Sequence, residues 1–272
     1  MTTAKELMRR AQAALETAYT PGEARFLAKA LVETRARARF PWTQTTDDKT
    51  VQRTLNEDVP RLLAGEPYQY VLGEAPFLDF WVAVNPDVLI PRPETEELTQ
   101  KAMTLWRKTG GTVVDIGTGS GCIAIAFARA GAKVYAVEAC PRALAVAREN
   151  ALRLCPDNIP VFLETKLEDL NFPLECTLVV SNPPYVPPGF PICPRVRDYE
   201  PHLAIFTPPD DPLYFYRLIV GKIRFVNLIV ETHEHYAQAT AEGFVRAGLE
   251  DVRVEKDFRS NPRFVWARRP PS

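Results

Sequence analysis

Between Thr112 and Ala267, short apolar runs alternate with helical stretches, and this alternation constrains the fold more than any other feature of the chain. Strand-like runs fall at 112–116, 133–137, 160–163, 177–181, 226–231, 252–256 and 263–267, with helical stretches such as 122–129 and 142–154 between them. Strands joined through helices cannot pair as tight hairpins. They pair in parallel through right-handed crossovers, with helices covering both faces of the sheet. The pattern predicts a doubly wound, mostly parallel seven-stranded α/β sheet. No internal repeat is visible.

The preceding segment is different. Leu7, Ala11, Ala14 and Leu15 share one helical face. Pro21 and Gly22 interrupt, and a second helix is expected over 23–37, with Phe26, Leu27, Ala30 and Leu31 apolar. A third is expected over 49–63, ending near Gly65. Strand signals are absent, so residues 1–72 read as a small helical bundle. Phe77, Phe80, Val82, Val84 and then Val88–Ile90 are apolar, with a turn signal at Asn85-Pro86-Asp87. Residues 73–90 therefore read as a β-hairpin linking the bundle to a catalytic domain over 91–272. Pro91-Arg92-Pro93 stiffens the exit, and a helix over 94–106 opens with acidic residues that suit the helix dipole. Ten of the 25 prolines lie between Pro183 and Pro212, which reads as a long loop facing substrate.

Composition bounds the function classes. The formal net charge is −1, so no global basic field is available to hold nucleic acid. Residues 1–70 carry eleven Lys/Arg against nine Asp/Glu, too small an excess to change that. The Arg35, Arg37, Arg39 alternation reads as a solvated helix end. Lys5, Glu6, Arg9, Arg10 and Glu16 interrupt the first twenty residues, which leaves no room for the apolar stretch of a secretory leader, and no run is long enough to span a membrane. A cytoplasmic monomer is expected, with no direct nucleic-acid contact. Cys122, Cys140, Cys155, Cys176 and Cys193 are scattered and odd in number, so they read as free thiols rather than zinc ligands or a disulfide framework. His233 and His235 could ligate a metal, but no third ligand motif accompanies them, and a solvent-facing helix start is the expectation; no metal is expected.

Two motifs carry chemistry. Asp115-Ile116-Gly117-Thr118-Gly119-Ser120-Gly121 follows the first α/β strand. Glycines there let a backbone approach a ligand, and the helix that follows offers free N–H groups. A dinucleotide fingerprint places its third glycine one position later, where Cys122 stands, and a P-loop needs Gly-Lys-Ser/Thr. Asp115 would repel a pyrophosphate but suits a cationic or hydroxylated ligand. S-adenosylmethionine carries an amino group and no phosphate. The next strand ends at Glu138, placed to accept from both ribose hydroxyls.

The second motif is Asn182-Pro183-Pro184-Tyr185, immediately after the apolar strand 177–181. It puts an amide, two restricted carbonyls and an aromatic ring at the carboxyl edge of the sheet, because proline fixes its own φ and keeps the residue before it extended. The Asn182 side-chain oxygen and the Pro183 carbonyl could each accept one N–H of a planar NH2 group, leaving its third direction toward a methyl donor. Tyr185 would wall the amide plane, and no strong general base is required. In isolation the same four residues could be a stiff strand exit.

Together these residues resemble class I S-adenosylmethionine-dependent methyltransferases of planar nitrogens. Tyr68-Gln69-Tyr70-Val71-Leu72-Gly73, Phe77, the run from Val88 through Pro91-Arg92-Pro93 to Glu96, and Tyr199-Glu200-Pro201 are similar to the protein-(glutamine-N5) methyltransferases of the HemK/PrmC family. The resemblance covers nearly the whole chain. It implies that a peptide chain release factor is methylated on the glutamine of its Gly-Gly-Gln loop, with S-adenosylhomocysteine as product, and that the helical domain over residues 1–72 recognises that protein substrate. It also implies that Gly117–Gly121, Glu138, Leu167 and Asn182 contact the cofactor, and that Asn182 to Tyr185 hold the glutamine. Lys166 departs from the family by standing where many members have an acid, and Thr232-His233-Glu234 replaces a glycine-containing segment. Arg92 and Glu94 either touch substrate or pin the junction, and Phe77 either lines the cofactor pocket or joins the core. The competing readings are a nucleic-acid methyltransferase acting on adenine-N6 or guanine-N2, a ribosomal-protein glutamine methyltransferase and a non-catalytic binding module.

Overall fold

Thr3 opens the first helix: its hydroxyl accepts from the Glu6 N–H at 3.1 Å, satisfying one of the free donors of the first turn. The structure is a computed structural model that describes residues 2–35, 45–170 and 176–270. Arg37 and Arg39 lie outside the described residues. The chain divides into two compact units, Met1–Glu74 with Pro194–Tyr199, and Ala75–Cys193 with Glu200–Ser272.

The first unit holds α1 (Ala4–Leu15), α2 (Pro21–Arg35), α3 (Asp48–Arg53), α4 (Val59–Leu63) and α5 (Tyr68–Leu72). Leu7, Ala11 and Leu15 are fully buried, as the shared face requires: Ala11 and Leu15 cluster with Ala28 and Leu31 of α2 and Leu62 of α4 among others, and Leu7 with Ala4 and Val32. Three details differ from expectation. Strands do occur: β1 (Thr2–Thr3) and β2 (Thr45–Thr46) form a two-residue antiparallel pair. The third helix is not continuous, because a π turn over Thr54–Asp58 separates α3 from α4, with the Val59 N–H bonded to the Thr54 carbonyl. Pro60 cannot donate to the carbonyl of Asn56 and its ring would crowd it, and widening by one residue relieves that clash. Arg35 is not a solvated helix end. It turns inward onto Asp58 at 2.8 Å, with side-chain exposures of 11% and 2%, and donates to the carbonyls of Val71 and Leu72. The helix Pro194–Tyr199 belongs to this unit, where the Tyr199 hydroxyl donates to the Ala64 carbonyl and Arg195 lies over the Tyr19 ring.

The second unit begins with a two-stranded sheet, β3 (Glu74–Phe77) and β4 (Phe80–Ala83). Its turn is Leu78–Asp79, with Leu78 at φ +52°, and not Asn85-Pro86-Asp87. The latter is a separate turn: the Asn85 side chain accepts from the Asp87 N–H at 2.9 Å, and Val88–Ile90 is not a strand. Phe77 is fully buried in the core.

The main sheet contains β5 (Val113–Ile116), β6 (Val134–Glu138), β7 (Val161–Glu164), β8 (Cys176–Ser181), β9 (Phe225–Glu231), β10 (Glu250–Lys256) and β11 (Pro262–Arg268). Their order is β10-β11-β9-β8-β5-β6-β7, with β11 antiparallel to both neighbours and the pairings from β9 to β7 all parallel. Helices α6 (Pro93–Thr109), α7 (Cys122–Arg129), α8 (Pro141–Leu154), α9 (Pro194–Tyr199), α10 (Tyr214–Lys222) and α11 (Ala237–Arg246) complete the chain. The doubly wound, mostly parallel seven-stranded sheet is the one its alternating pattern predicts. β5, the hub, is buried at all four positions, as a strand covered on both faces must be. The chain leaves β5 toward β6 on one side and pairs with β8 on the other. This reversal of strand order opens a crevice at the carboxyl ends of β5 and β8. The proline-rich stretch is more structured than a plain loop, carrying α9, a 3-10 turn at His202–Ala204 and a bridge from Val186 to Phe206.

Candidate functional site

The two motifs meet because the sheet register aligns their starting points. Ile116 and Ser181 are register partners, and the Ser181 hydroxyl donates to the Ile116 carbonyl at 2.7 Å. Gly117 and Asn182 therefore leave the sheet from adjacent strands in the same row.

A cavity of about 350 Å³ opens there. Gly117, Gly119, Glu138, Leu167, Asn182, Pro183 and Pro184 line it, together with Val88, Leu89, Cys140, Lys166, Leu203 and Phe215. Gly117 and Gly119 have φ of +71° and +54°, and a Cβ at either would meet nothing within 4 Å, so the turn leaves open space where a ligand can come close to the backbone. The Gly117 and Thr118 N–H groups are held by the Val137 carbonyl at 2.9 and 3.1 Å. Glu138 accepts from the Gly119 N–H and the Cys140 N–H, both at 3.0 Å, which ties the glycine turn to the end of β6.

Asp115 is placed differently from the expectation of a ligand contact. It is fully buried and does not line the cavity. Its Oδ2 accepts from the Thr118 hydroxyl at 2.6 Å and from the Ala124 N–H at 3.1 Å. The residue preceding α7 is Gly121, which has no side chain to cap the helix, and Asp115 performs that task from the strand. Burial pushes its carboxyl up to about 7. Thr118 and Ser120 are also buried and, with Gly121, stand behind the turn rather than on the cavity wall.

Asn182 donates from Nδ2 to Thr95 Oγ1 at 2.9 Å. The Thr95 hydroxyl donates to Glu231 Oε2 at 2.8 Å, and the Tyr185 hydroxyl reaches Glu231 Oε1 at 3.3 Å. Tyr185 is thus held through its hydroxyl beside the cavity rather than among the residues that line it. Burial, reinforced by the Glu231 charge, pushes the Tyr185 phenol well above its usual range, so it remains a donor. Arg92 pairs with the buried Glu200, whose other oxygen accepts from the Ile90 N–H at 3.1 Å, an arrangement that pins the junction before α6. His233 and His235 lie in the turn before α11, not at its start. The His233 ring is half-buried against Phe190 at 4.9 Å, and burial lowers its pKa, while His235 is exposed. Among the described residues no group of three or more His, Cys, Asp or Glu could hold a metal.

No local sequence pattern assigns a role to Thr95 or Glu231. Glu231 ends β9 as Glu138 ends β6, and a strand-end carboxylate was the signal available for it. Leu203 and Phe215 join the cavity from segments distant in the chain, and no local pattern marks them.

The family described as Ribosomal protein L11 methyltransferase (PrmA) matches residues 93–182, from α6 through the glycine turn to Asn182. The chain is similar to the release factor glutamine methyltransferase of Flavobacterium psychrophilum, at 36% identity over 221 residues, which is 74% of each chain. It is 36% identical over 231 residues to that of Bacteroides thetaiotaomicron, covering 80% of this chain and 81% of the other. Among solved structures, the hMettl16 catalytic domain bound to a MAT2A 3'UTR hairpin overlays with a TM-score of 0.57 at 14% identity, covering 91% of this chain and 92% of that one. A human methyltransferase 10 domain containing protein overlays at 0.52 with 16% identity, covering 69% of this chain and 88% of the other. These likenesses show the fold alone. Sheet order, glycine turn and Asn182 corner together define a class I methyltransferase. The level and extent of identity to its relatives place the chain in the release factor glutamine methyltransferase family.

Among the described residues no helix is long and apolar enough to cross a membrane.

Proposed function

We propose that the protein transfers a methyl group from S-adenosylmethionine to the side-chain amide nitrogen of the glutamine in the Gly-Gly-Gln loop of a peptide chain release factor. The observation that carries this reading is that Asn182, Pro183 and Pro184 line the same cavity as Gly117, Gly119 and Glu138. An amide-recognising corner and a cofactor-binding turn thus share one space.

The residues fit the cofactor. A cavity of about 350 Å³ has the size of a small-molecule site, and its wall is mostly apolar. Glu138 uses one lone pair on each oxygen for backbone N–H groups and keeps acceptor capacity for ribose hydroxyls. Leu167 supplies an apolar face for the adenine, with Lys166 beside it. When bound, the cofactor supplies a methyl group activated by its sulfonium.

The chain's own residues position the nucleophile. An amide nitrogen is weak because its lone pair is delocalised into the carbonyl. Asn182 Oδ1 and the Pro183 carbonyl accept its two N–H groups and support the positive charge that develops there. The two prolines hold those acceptors in place before substrate arrives. The proton leaves after transfer, so no side chain needs to act as a strong base. The protein acts as a monomer on a protein substrate.

The test is mass spectrometry of a release factor after incubation with the protein and S-adenosylmethionine. A single added methyl on the Gly-Gly-Gln glutamine is expected. Transfer to RNA or DNA instead, with steeply salt-dependent binding, would replace this reading with a nucleic-acid methyltransferase.

A further inference from the structure

Asn182 can serve as an acceptor only if its amide presents oxygen, not nitrogen, to the cavity. The two edges of an amide are nearly the same size, so packing alone does not choose between them. The hydrogen bonds behind Asn182 do. An ionised carboxylate only accepts, so the single hydroxyl proton of Thr95 is committed to Glu231 Oε2 at 2.8 Å. The remaining capacity of Thr95 Oγ1 is as an acceptor, and only the Nδ2 edge of Asn182 can satisfy it, at 2.9 Å. We infer that Thr95 and Glu231 are a positioning pair that holds the Asn182 amide with its oxygen toward the substrate glutamine. This rests on the glutamine-methylation reading above.

The pair is well supported. Glu231 is 1% exposed and Thr95 4%. The second oxygen of Glu231 is occupied by the Tyr185 hydroxyl, so the same carboxylate fixes both ends of the Asn182–Tyr185 segment. The ionisable groups that face Glu231 come from several elements: Glu94 on α6 opposes its charge, Arg263 on β11 favours it, and Tyr185 and the buried Tyr216 lie against it. The Tyr216 hydroxyl donates to the Glu231 backbone carbonyl at 3.0 Å, holding the strand end in place.

Protonation reverses the relay. A neutral Glu231 can donate to Thr95, freeing the Thr95 proton to bond Asn182 Oδ1. The amide then turns and presents NH2 to the substrate NH2, an arrangement with two donors and no acceptor. Burial pushes the Glu231 carboxyl up to about 7, within the range where turnover can be followed. Turnover therefore rises with pH as Glu231 ionises.

The experiment compares wild type with Thr95→Val, Thr95→Ser and Glu231→Gln. The readouts are kcat on release factor across pH, and calorimetric affinity of the protein loaded with S-adenosylhomocysteine for a Gly-Gly-Gln peptide. Thr95→Val removes both hydrogen bonds at constant size and is expected to lower kcat and peptide affinity by about tenfold or more. Thr95→Ser keeps the hydroxyl and is expected to restore most of both. Glu231→Gln is expected to lose the acid limb of the kcat profile. S-adenosylhomocysteine affinity is expected to stay near wild type in all three, while Tm falls in Thr95→Val, which leaves the buried Glu231 Oε2 without its donor, and is recovered in Thr95→Ser. Wild-type kcat and peptide affinity in Thr95→Val overturn the inference, as does a loss matched by an equal loss of S-adenosylhomocysteine affinity or one that Thr95→Ser does not restore. A wild-type protein that neither methylates release factor nor binds the peptide overturns the proposed function, and the inference with it.

Discussion

The Ser181 hydroxyl donates to the Ile116 carbonyl at 2.7 Å, across two parallel strands whose partners they are. This contact closes the last rung between β8 and β5, and the chain turns into the glycine loop on one side and the Asn182 corner on the other. A parallel pair of strands ends with free carbonyls at its carboxyl edge, and here one of them is satisfied by a side chain, so the edge is rigid where both motifs begin.

Asn182→Ala is expected to remove methyl transfer, by at least about a hundredfold in kcat, because it deletes the acceptor proposed to orient the nucleophile. Unfolding temperature should change little, since Asn182 is only partly buried and its one bond to Thr95 is replaceable by water. Single-turnover assays alongside calorimetry check this; turnover close to wild type would remove the mechanism.

Glu138→Ala is expected to weaken S-adenosylmethionine binding by tenfold or more. The substitution removes both the proposed acceptor for the ribose and the two bonds that tie Gly119 and Cys140 to the strand end. A hydrogen bond to a charged group contributes about 1.5–3 kcal/mol, and 1.4 kcal/mol is about a factor of ten. Isothermal calorimetry reads the loss directly.

The glycines of the turn should separate into two kinds. At Gly121, φ is +83° and a Cβ would lie 3.2 Å from both Ala147 Cβ and Ile125 Cδ1, so Gly121→Ala should lower Tm through strain and crowding behind the turn. At Gly117, φ is +71° but a Cβ meets nothing within 4 Å. Gly117→Ala should cost about 1–2 kcal/mol of backbone strain and, in addition, obstruct the cavity, so its cofactor affinity should fall more than that of Gly121→Ala. Thermal unfolding and cofactor titration of both variants test the contrast.

Arg35→Ala should destabilise the first unit by about 3 kcal/mol, because it leaves Asp58 as a buried, unpaired charge. The carbonyls of Val71 and Leu72 would lose their donor in the same step. Chemical denaturation followed by a probe in this unit checks the size. Arg35→Lys should recover only part, since one ammonium cannot reproduce the fork that spans Asp58 and both carbonyls.

Asp115 makes stability depend on pH. Its carboxyl rises from 3.8 to about 7 on folding, chiefly by burial, so the folded state holds the proton more tightly than the unfolded chain. The contribution is fully present below about pH 4 and is lost as pH rises to about 7. Glu231 acts in the same direction in an overlapping window. The difference between wild type and Asp115→Asn isolates Asp115: from pH 5 to pH 8 the wild type should lose more Tm than the variant. Equal losses would mean that Asp115 ionises freely in the folded protein.

Local signals made the α/β half of the protein readable. A strand buried on both faces needs an uninterrupted apolar run, as in β5 and β8, a more exposed strand such as β10 shows alternation instead, and an amphipathic helix needs its 3.6-residue period, so the strands of the main sheet are legible in short windows of sequence. The glycine turn, Glu138 and Asn182-Pro183-Pro184-Tyr185 were equally legible, because each marks a backbone conformation or a strand end by residue type. The hairpin turn was not. Leu78 takes a positive φ with no glycine or asparagine to announce it, while Asn85-Pro86-Asp87 announced a different turn. The π turn at Thr54–Asp58 left only Pro60 as a trace, and the inward turn of Arg35 depended on Asp58, 23 residues away.

What sequence determined by itself was the order of elements and the residue types at each strand end, since both follow from local conformational preference. What only the tertiary structure decided was which strand ends stand side by side, and therefore which groups act together. Asp115 became a helix cap instead of a ligand contact because the first turn of α7 folds back over β5. Glu231 came to hold Thr95 and Tyr185, respectively 136 and 46 residues away in the chain, because β9 lies next to β8 and α6 packs against both. Such partnerships depend on sheet order and register, and no window of sequence encodes those.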